Sequence, residues 1–189
     1  VSDEMITMVL ADASERMADA VSHTRREFSS VRTGRASSAL VEHLPVDAYG
    51  VEMRMQELAS FSAPEARQLL ITPHDPANVP AIERAIARAD LGLTPSNDGR
   101  AIRLVYPELT EERRRDLVRM INAMAEEGKN RLRGMRRSAR RDLDEYRADG
   151  HVSEDDIRWA GSQLDDLTHS HESEVDRTRS AKEDELLEV

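Results

Sequence analysis

Apolar side chains recur at intervals of three and four along three long stretches of this chain, with a differently textured segment set between the first and second. From Asp3 to Ser30 the positions Met5, Val9, Ala13, Met17, Ala20, Val21, Thr24 and Phe28, continued by Val31, step in this way without a proline or glycine. That spacing predicts one helix of about 25 residues, roughly 40 Å tall and too long to bury itself on a small sheet. A second helix is predicted from Thr110, a plausible N-cap with Glu111 and Glu112 behind it, to about Asp149, where Gly150 ends it. Its apolar stripe runs through Leu117, Ile121, Met124, Leu132, Met135, Ala139, Leu143 and Tyr146. Ser153-Glu-Asp-Asp156 has the form of a capping box with aspartate in the third place. It opens a last helix whose inner positions are Ile157, Ala160, Leu164, Leu167, His171, Val175 and Leu186.

Between Leu40 and Tyr106 the pattern shortens to apolar runs, 46–49, 58–61, 69–72 and 102–106, separated by turn signals such as Tyr49-Gly50 and Asn97-Asp98-Gly99. All seven prolines fall between residues 45 and 107. The stretch 80–91 places Ile82, Ala85, Ile86 and Ala89 on one helical face, with Pro80 near its start and Gly92 past its end. The pattern therefore supports an α+β fold, three long helices with a small α/β domain inserted after the first. Residues 1–31 and 106–189 are assigned to the bundle and 32–105 to the insertion.

Charge sharpens this outline. The chain of 189 residues has a formal net charge of −10, yet Lys129 to Arg141 (KNRLRGMRRSARR) carries seven basic residues and no acidic one. The other 20 basic residues face all 37 acidic ones. At about 100° per residue, six of the seven, all but Arg131, lie within about 140° of arc away from the apolar stripe. The expectation is a solvent-facing row of guanidinium groups on a rigid rod. Arginine predominates, and its planar fork suits phosphate oxygens where lysine offers a point charge. A nucleic-acid backbone is one ligand for such a row, and an ordinary solvated helix face is the other reading. Aromatic residues make up 3% of the chain, too few to build a stacking platform for single-stranded bases, so shape and backbone would be what is recognised. Val31 to Ala36 (VRTGRA) sets a glycine between two arginines, a connector or a second basic contact point.

Enzyme chemistry finds no footing. No Walker loop, GxGxxG, GxSxG or HExxH occurs, and the carboxylates of the long helices are not paired into an acid and a base. His169 and His171 stand about 200° apart on a helix and cannot share an ion on one face, so no metal site is expected. No cofactor is expected, and His74-Asp75 is read as part of a turn. The absence of cysteine from a strongly polar chain with no apolar run long enough for a bilayer suggests a cytoplasmic protein without a membrane partner.

Five blocks add a resemblance to these readings: VRTGRASSAL (31–40), LLITPHD (69–75), IERAIARADLGLTPSNDG (82–99), IRLVYPELTEERRRDL (102–117) and RLRGMRRSA (131–139). In this order they resemble the signature blocks of the bacterial ribosome recycling factor family over essentially the whole chain. The resemblance implies an α+β fold, a three-helix bundle with an inserted small β/α/β domain in an L-shaped, two-domain molecule, expected to be monomeric. It implies binding to the post-termination 70S ribosome against large-subunit rRNA and, with elongation factor G and its GTP hydrolysis, separation of the subunits. The factor itself hydrolyses nothing.

By motif position, the family's rRNA-contacting arginines fall on Arg32, Arg35, Arg133, Arg136 and Arg137, and Arg140 continues the row. The hinge connectors fall on Arg32 to Ala36 and Ile102 to Pro107, with Gly34, Ala36, Ile102, Arg103 and Pro107 as hinge positions. Departures from the family pattern are Ser38 in place of proline, Ala48 in place of an aromatic residue, Gly134 and Ser138. The first two are expected to loosen the entrance to the small domain. Two alternatives use the same residues: a diverged paralogue that binds ribosomes without recycling them, and a helical scaffold for an acidic protein.

Overall fold

The computed structural model describes residues 2–188. Three long helices dominate it: α1 (Ser2–Ser30), α4 (Glu111–Ala148) and α5 (Glu154–Leu187). Between α1 and α4 come β1 (Pro45–Ala48), β2 (Val51–Arg54), the single turn α2 (Met55–Leu58), β3 (Ala59–Glu65), β4 (Gln68–Pro73), α3 (Val79–Arg88), β5 (Pro95–Asn97) and β6 (Ile102–Val105). Two compact units result, one of Val1–Val31 with Arg115–Asp184 and one of Arg32–Arg114 with Glu185–Val189.

The helical unit is organised by the predicted stripes. On α1 the fully buried positions are Ile6, Ala13, Met17, Ala20, Val21, Thr24 and Phe28. Ile6 takes the inner place that the spacing gave to Met5. On α4, Ala125 and Gly128 fill the interval between Ile121 and Leu132 on the inner face, and Ala139 and Leu143 continue it. Small residues at 125 and 128 let a neighbouring helix approach closely. At Gly128, a Cβ would lie 2.7 Å from the Thr24 hydroxyl oxygen and 3.0 Å from its methyl. The Thr24 hydroxyl, 1% exposed, donates to the Ala20 carbonyl at 2.9 Å, so no polar group is stranded at the crossing.

Helix ends are set by local chemistry. The Arg113 amide donates to Thr110 Oγ1 at 3.1 Å, the capping bond expected there. At the other end of α4, Gly150 (φ 76°) donates to the Arg147 carbonyl and His151 to that of Tyr146, the paired bonds of a left-handed glycine stop. The Asp156 amide then donates to Ser153 Oγ at 3.2 Å, and the Ser153 hydroxyl donates to the Asp156 carboxylate at 2.7 Å, fixing the start of α5.

In the smaller unit, β3-β4-β6-β5 form an antiparallel sheet and β1-β2 a separate hairpin turned by Tyr49 and Gly50, both with positive φ. Helix α3 buries Val79, Ile82, Ala85 and Ile86 in one core with Val46, Leu69, Ile71, Ile102 and Leu104. Strands β2 and β5 lay outside the predicted runs. Burial explains why: β2 has no buried residue and β5 is three residues long with a proline, so neither carries an apolar signal. At the two departures, the Ser38 hydroxyl donates to Glu42 at 2.8 Å and Ala48 is 3% exposed within the core.

Candidate nucleic-acid interface

The basic row on α4 divides into two halves. Its N-terminal half is neutralised by neighbouring helices. Lys129 pairs with Glu126 at 2.7 Å and with Asp176 of α5 at 3.2 Å. The Arg131 guanidinium donates bidentately to Glu27 of α1, at 3.1 and 3.2 Å, and also reaches Glu127. Arg133 Nε donates to Glu172 at 2.7 Å, and Arg136 lies 3.3 Å from Asp165. These contacts move the pKa values in the expected directions. The Arg131 hydrogen bond holds the Glu27 carboxyl below its ordinary value, and the Glu126 hydrogen bond holds the Lys129 ammonium above its own.

The expectation of a uniformly solvent-facing row is therefore corrected. A wheel drawn on one helix cannot register acids contributed by two others. Asp165, Glu172 and Asp176 are spaced seven and four apart, so α5 presents them on one face, and they meet Arg136, Arg133 and Lys129 in antiparallel order.

The C-terminal half of the row is different. Arg137, Arg140 and Arg141 are exposed, and among the described residues none of them has an acidic partner. With Arg136 and Gly134 they line an open concavity. Three guanidiniums without acidic partners on one helix present planar forks of the kind suited to phosphate oxygens. Arg133 and Arg136, at 41% and 38% side-chain exposure, flank it in surface ion pairs of the kind that exchange readily for another anion. Arg141 belongs to this group, although the family motif did not point to it.

The remaining predicted positions lie in the smaller unit. Arg32 is exposed without an acidic partner among the described residues, and Arg35 pairs with Glu188 at 2.7 Å. Gly34 has a φ of 80°, which suits a connector that must turn. Ala36, Ile102 and Arg103 are each held by backbone pairing. The Ala36 amide donates to the Ala66 carbonyl at 2.7 Å, and Ile102 and Arg103 sit in β6, paired to β4 on one side and β5 on the other. Turning them would break the sheet ladder. Pro107 lies just outside the sheet and is exposed.

Comparison with known proteins places these features in a family. Residues 24–187 match the sequence model described as Ribosome recycling factor. A ribosome-recycling factor of Rubrobacter xylanophilus is 48% identical over 180 residues, covering 95% of this chain and 97% of that one. One of Shouchella clausii is 44% identical over 185 residues, covering 98% of this chain and 100% of that one. Among solved structures, a solution structure of the ribosome recycling factor aligns with a TM-score of 0.72 at 38% identity, covering 97% of this chain and 98% of that one. The T. thermophilus ribosome recycling factor, described with E. coli elongation factor G bound to the E. coli post-termination complex, aligns at 0.65 and 36% identity, covering 96% and 98%. Matched along nearly its whole length in sequence and in fold, this chain belongs to the ribosome recycling factor family.

Proposed function

We propose that this chain binds the post-termination ribosome in the cytoplasm and, together with elongation factor G and GTP, promotes separation of the subunits. It acts as a monomer that holds no cofactor and carries out no hydrolysis of its own. Family membership supports the activity. The observation that carries the binding mode is the trio Arg137, Arg140 and Arg141, exposed on α4 without acidic partners among the described residues.

Large-subunit rRNA would be held through its phosphates, with Arg133 and Arg136 exchanging Glu172 and Asp165 for RNA at the edge of the contact and Arg32 and Arg35 adding contacts from the smaller unit. Because the chain is otherwise strongly anionic, it is repelled by a polyanion everywhere except at this face, and that repulsion orients docking. Guanidinium contacts to phosphate release counterions, so the affinity falls steeply with salt. The bundle is suited to pass on force because its helices are long and their contacts fixed. Gly34 and Pro107 serve as the connector positions.

The test is subunit splitting with purified elongation factor G and GTP, alongside binding to isolated large subunits. R137E/R141E should lose both activities by more than tenfold while its melting temperature stays unchanged, since among the described residues neither side chain has an acidic partner to lose. Undiminished binding by this variant would remove the interface.

A further inference from the structure

The antiparallel pairing of α4 with α5 brings basic residues of one against acidic residues of the other: Lys129 with Asp176, Arg133 with Glu172, Arg136 with Asp165. One helical turn further along each helix stand Arg140 and Gly161. A carboxylate at 161 would continue the series; the chain has a buried glycine there, within a helix of 34 residues. Glycine in a helix interior is costly relative to alanine, so its presence asks for a local reason. The reason is visible in the geometry. A Cβ on Gly161 would lie 2.8 Å from Arg140 Nη2, 3.4 Å from Cζ and 3.6 Å from Nε. The guanidinium thus rests directly over the bare backbone of α5, in the space that any other side chain would fill.

We propose that Gly161 is a positioning residue for the RNA interface: it breaks the ion-pair series and seats the Arg140 guanidinium, unneutralised, beside Arg136, Arg137 and Arg141, where it takes a backbone phosphate. This rests on the interface reading above. Two observations support it independently of that reading. Arg140 makes no ion pair among the described residues, so its placement over α5 is not explained by a structural salt bridge. Arg140 also lines the arginine-lined concavity together with Arg136, Arg137 and Arg141. On its other side Arg140 also lines a second concavity, where Asp144 and Glu154 stand among Arg147 and Arg158, so acidic residues first join the surface there.

The experiment is a mutant cycle of G161A, R140A and G161A/R140A, read as binding to isolated large ribosomal subunits over a range of salt concentrations, with R137E/R141E as the control for the interface itself. The contact that a Cβ would make is with the far end of a flexible side chain, so G161A should fold and melt at or above the wild-type temperature. Its binding should weaken by about three- to tenfold, most of the loss seen in R140A. The slope of log affinity against log salt should become shallower by roughly one phosphate contact. The double variant should bind no more weakly than R140A alone, because the two changes remove the same contact.

G161A binding like the wild type while R140A is weakened would overturn the positioning role, as would additive losses in the double variant. R140A binding like the wild type while R137E/R141E fails would also overturn it, leaving the interface in place. If R137E/R141E binds normally, the interface is wrong and the proposal falls with it.

Discussion

Glycine-to-alanine substitution at position 128 tests how closely the helical unit is packed, and position 134 supplies its internal control. Both glycines lie within α4, and in a free helix each replacement would stabilise by about 1 kcal/mol. At Gly134 a new Cβ would meet only the Arg137 side chain of the same helix, with Nη2 at 3.9 Å, ordinary contact distance, so G134A should keep that gain. At Gly128 the new methyl would press on Thr24 at 2.7 and 3.0 Å. Thr24 cannot swing aside easily: it is 1% exposed, β-branched, and tied through its hydroxyl to the Ala20 carbonyl. Overpacking of this kind costs about 1–3 kcal/mol, and a contact this short against a stiff neighbour belongs in the upper half of that range. After the propensity gain, G128A should be destabilised by about 1–2 kcal/mol, a fall in melting temperature of roughly 2–8 °C.

Thermal and urea melts followed by far-ultraviolet circular dichroism, with fluorescence of the single tryptophan, Trp159 on α5, give the readout. Adding T24A should recover part of the loss, because it removes both clashing atoms, so the double variant should be less destabilised than the two single changes summed. If G128A melts at or above wild type, or if T24A adds its full cost, the α1–α4 crossing is not as close as described.

Two further outcomes follow from the charged and polar contacts. The Arg131–Glu27 pair, with side chains 27% and 29% exposed, should contribute about 1–2 kcal/mol, so R131Q should lower the melting temperature at neutral pH. Since Glu27 titrates below its ordinary value, that contribution is complete above the unfolded-state pKa of a glutamate and is lost as pH falls through the folded one. The stability gap between wild type and R131Q should therefore narrow on acidification; a gap that widened would show the pair misassigned. Tyr106 donates its hydroxyl to the Ser37 carbonyl at 2.9 Å, and burial raises its pKa. Y106F should cost about 1 kcal/mol and remove a tyrosine that ionises above its ordinary value in a spectrophotometric titration; such an ionisation surviving the substitution would refute the assignment.

Much of this architecture could be read from local signals, because helix periodicity and capping are written over a few neighbouring residues. The stripes of α1, α4 and α5, the Thr110 cap, the Gly150 stop and the Ser153 start each depend on side chains within one or two turns. So does the concentration of cationic residues between 129 and 141, which no property of the rest of the chain could disguise. The strands were legible only where burial alternates, as in β6 with Ile102 and Leu104 inward, and illegible in β2, which packs no residue fully inside.

Which of those cations remain available was decided by tertiary structure. Arg131 and Glu27 are 104 positions apart, and Arg133 and Glu172 are 39 apart, so their neutralisation comes from helix packing and leaves no trace in local spacing. The same packing placed Gly161 under Arg140, and strand pairing in the smaller unit held Ile102 and Arg103 in β6, where a connector had been expected. Sequence determined where the charge is and which segments are helical, since both are local properties. Structure determined which charge is free, because that depends on what the neighbouring helices bring to it.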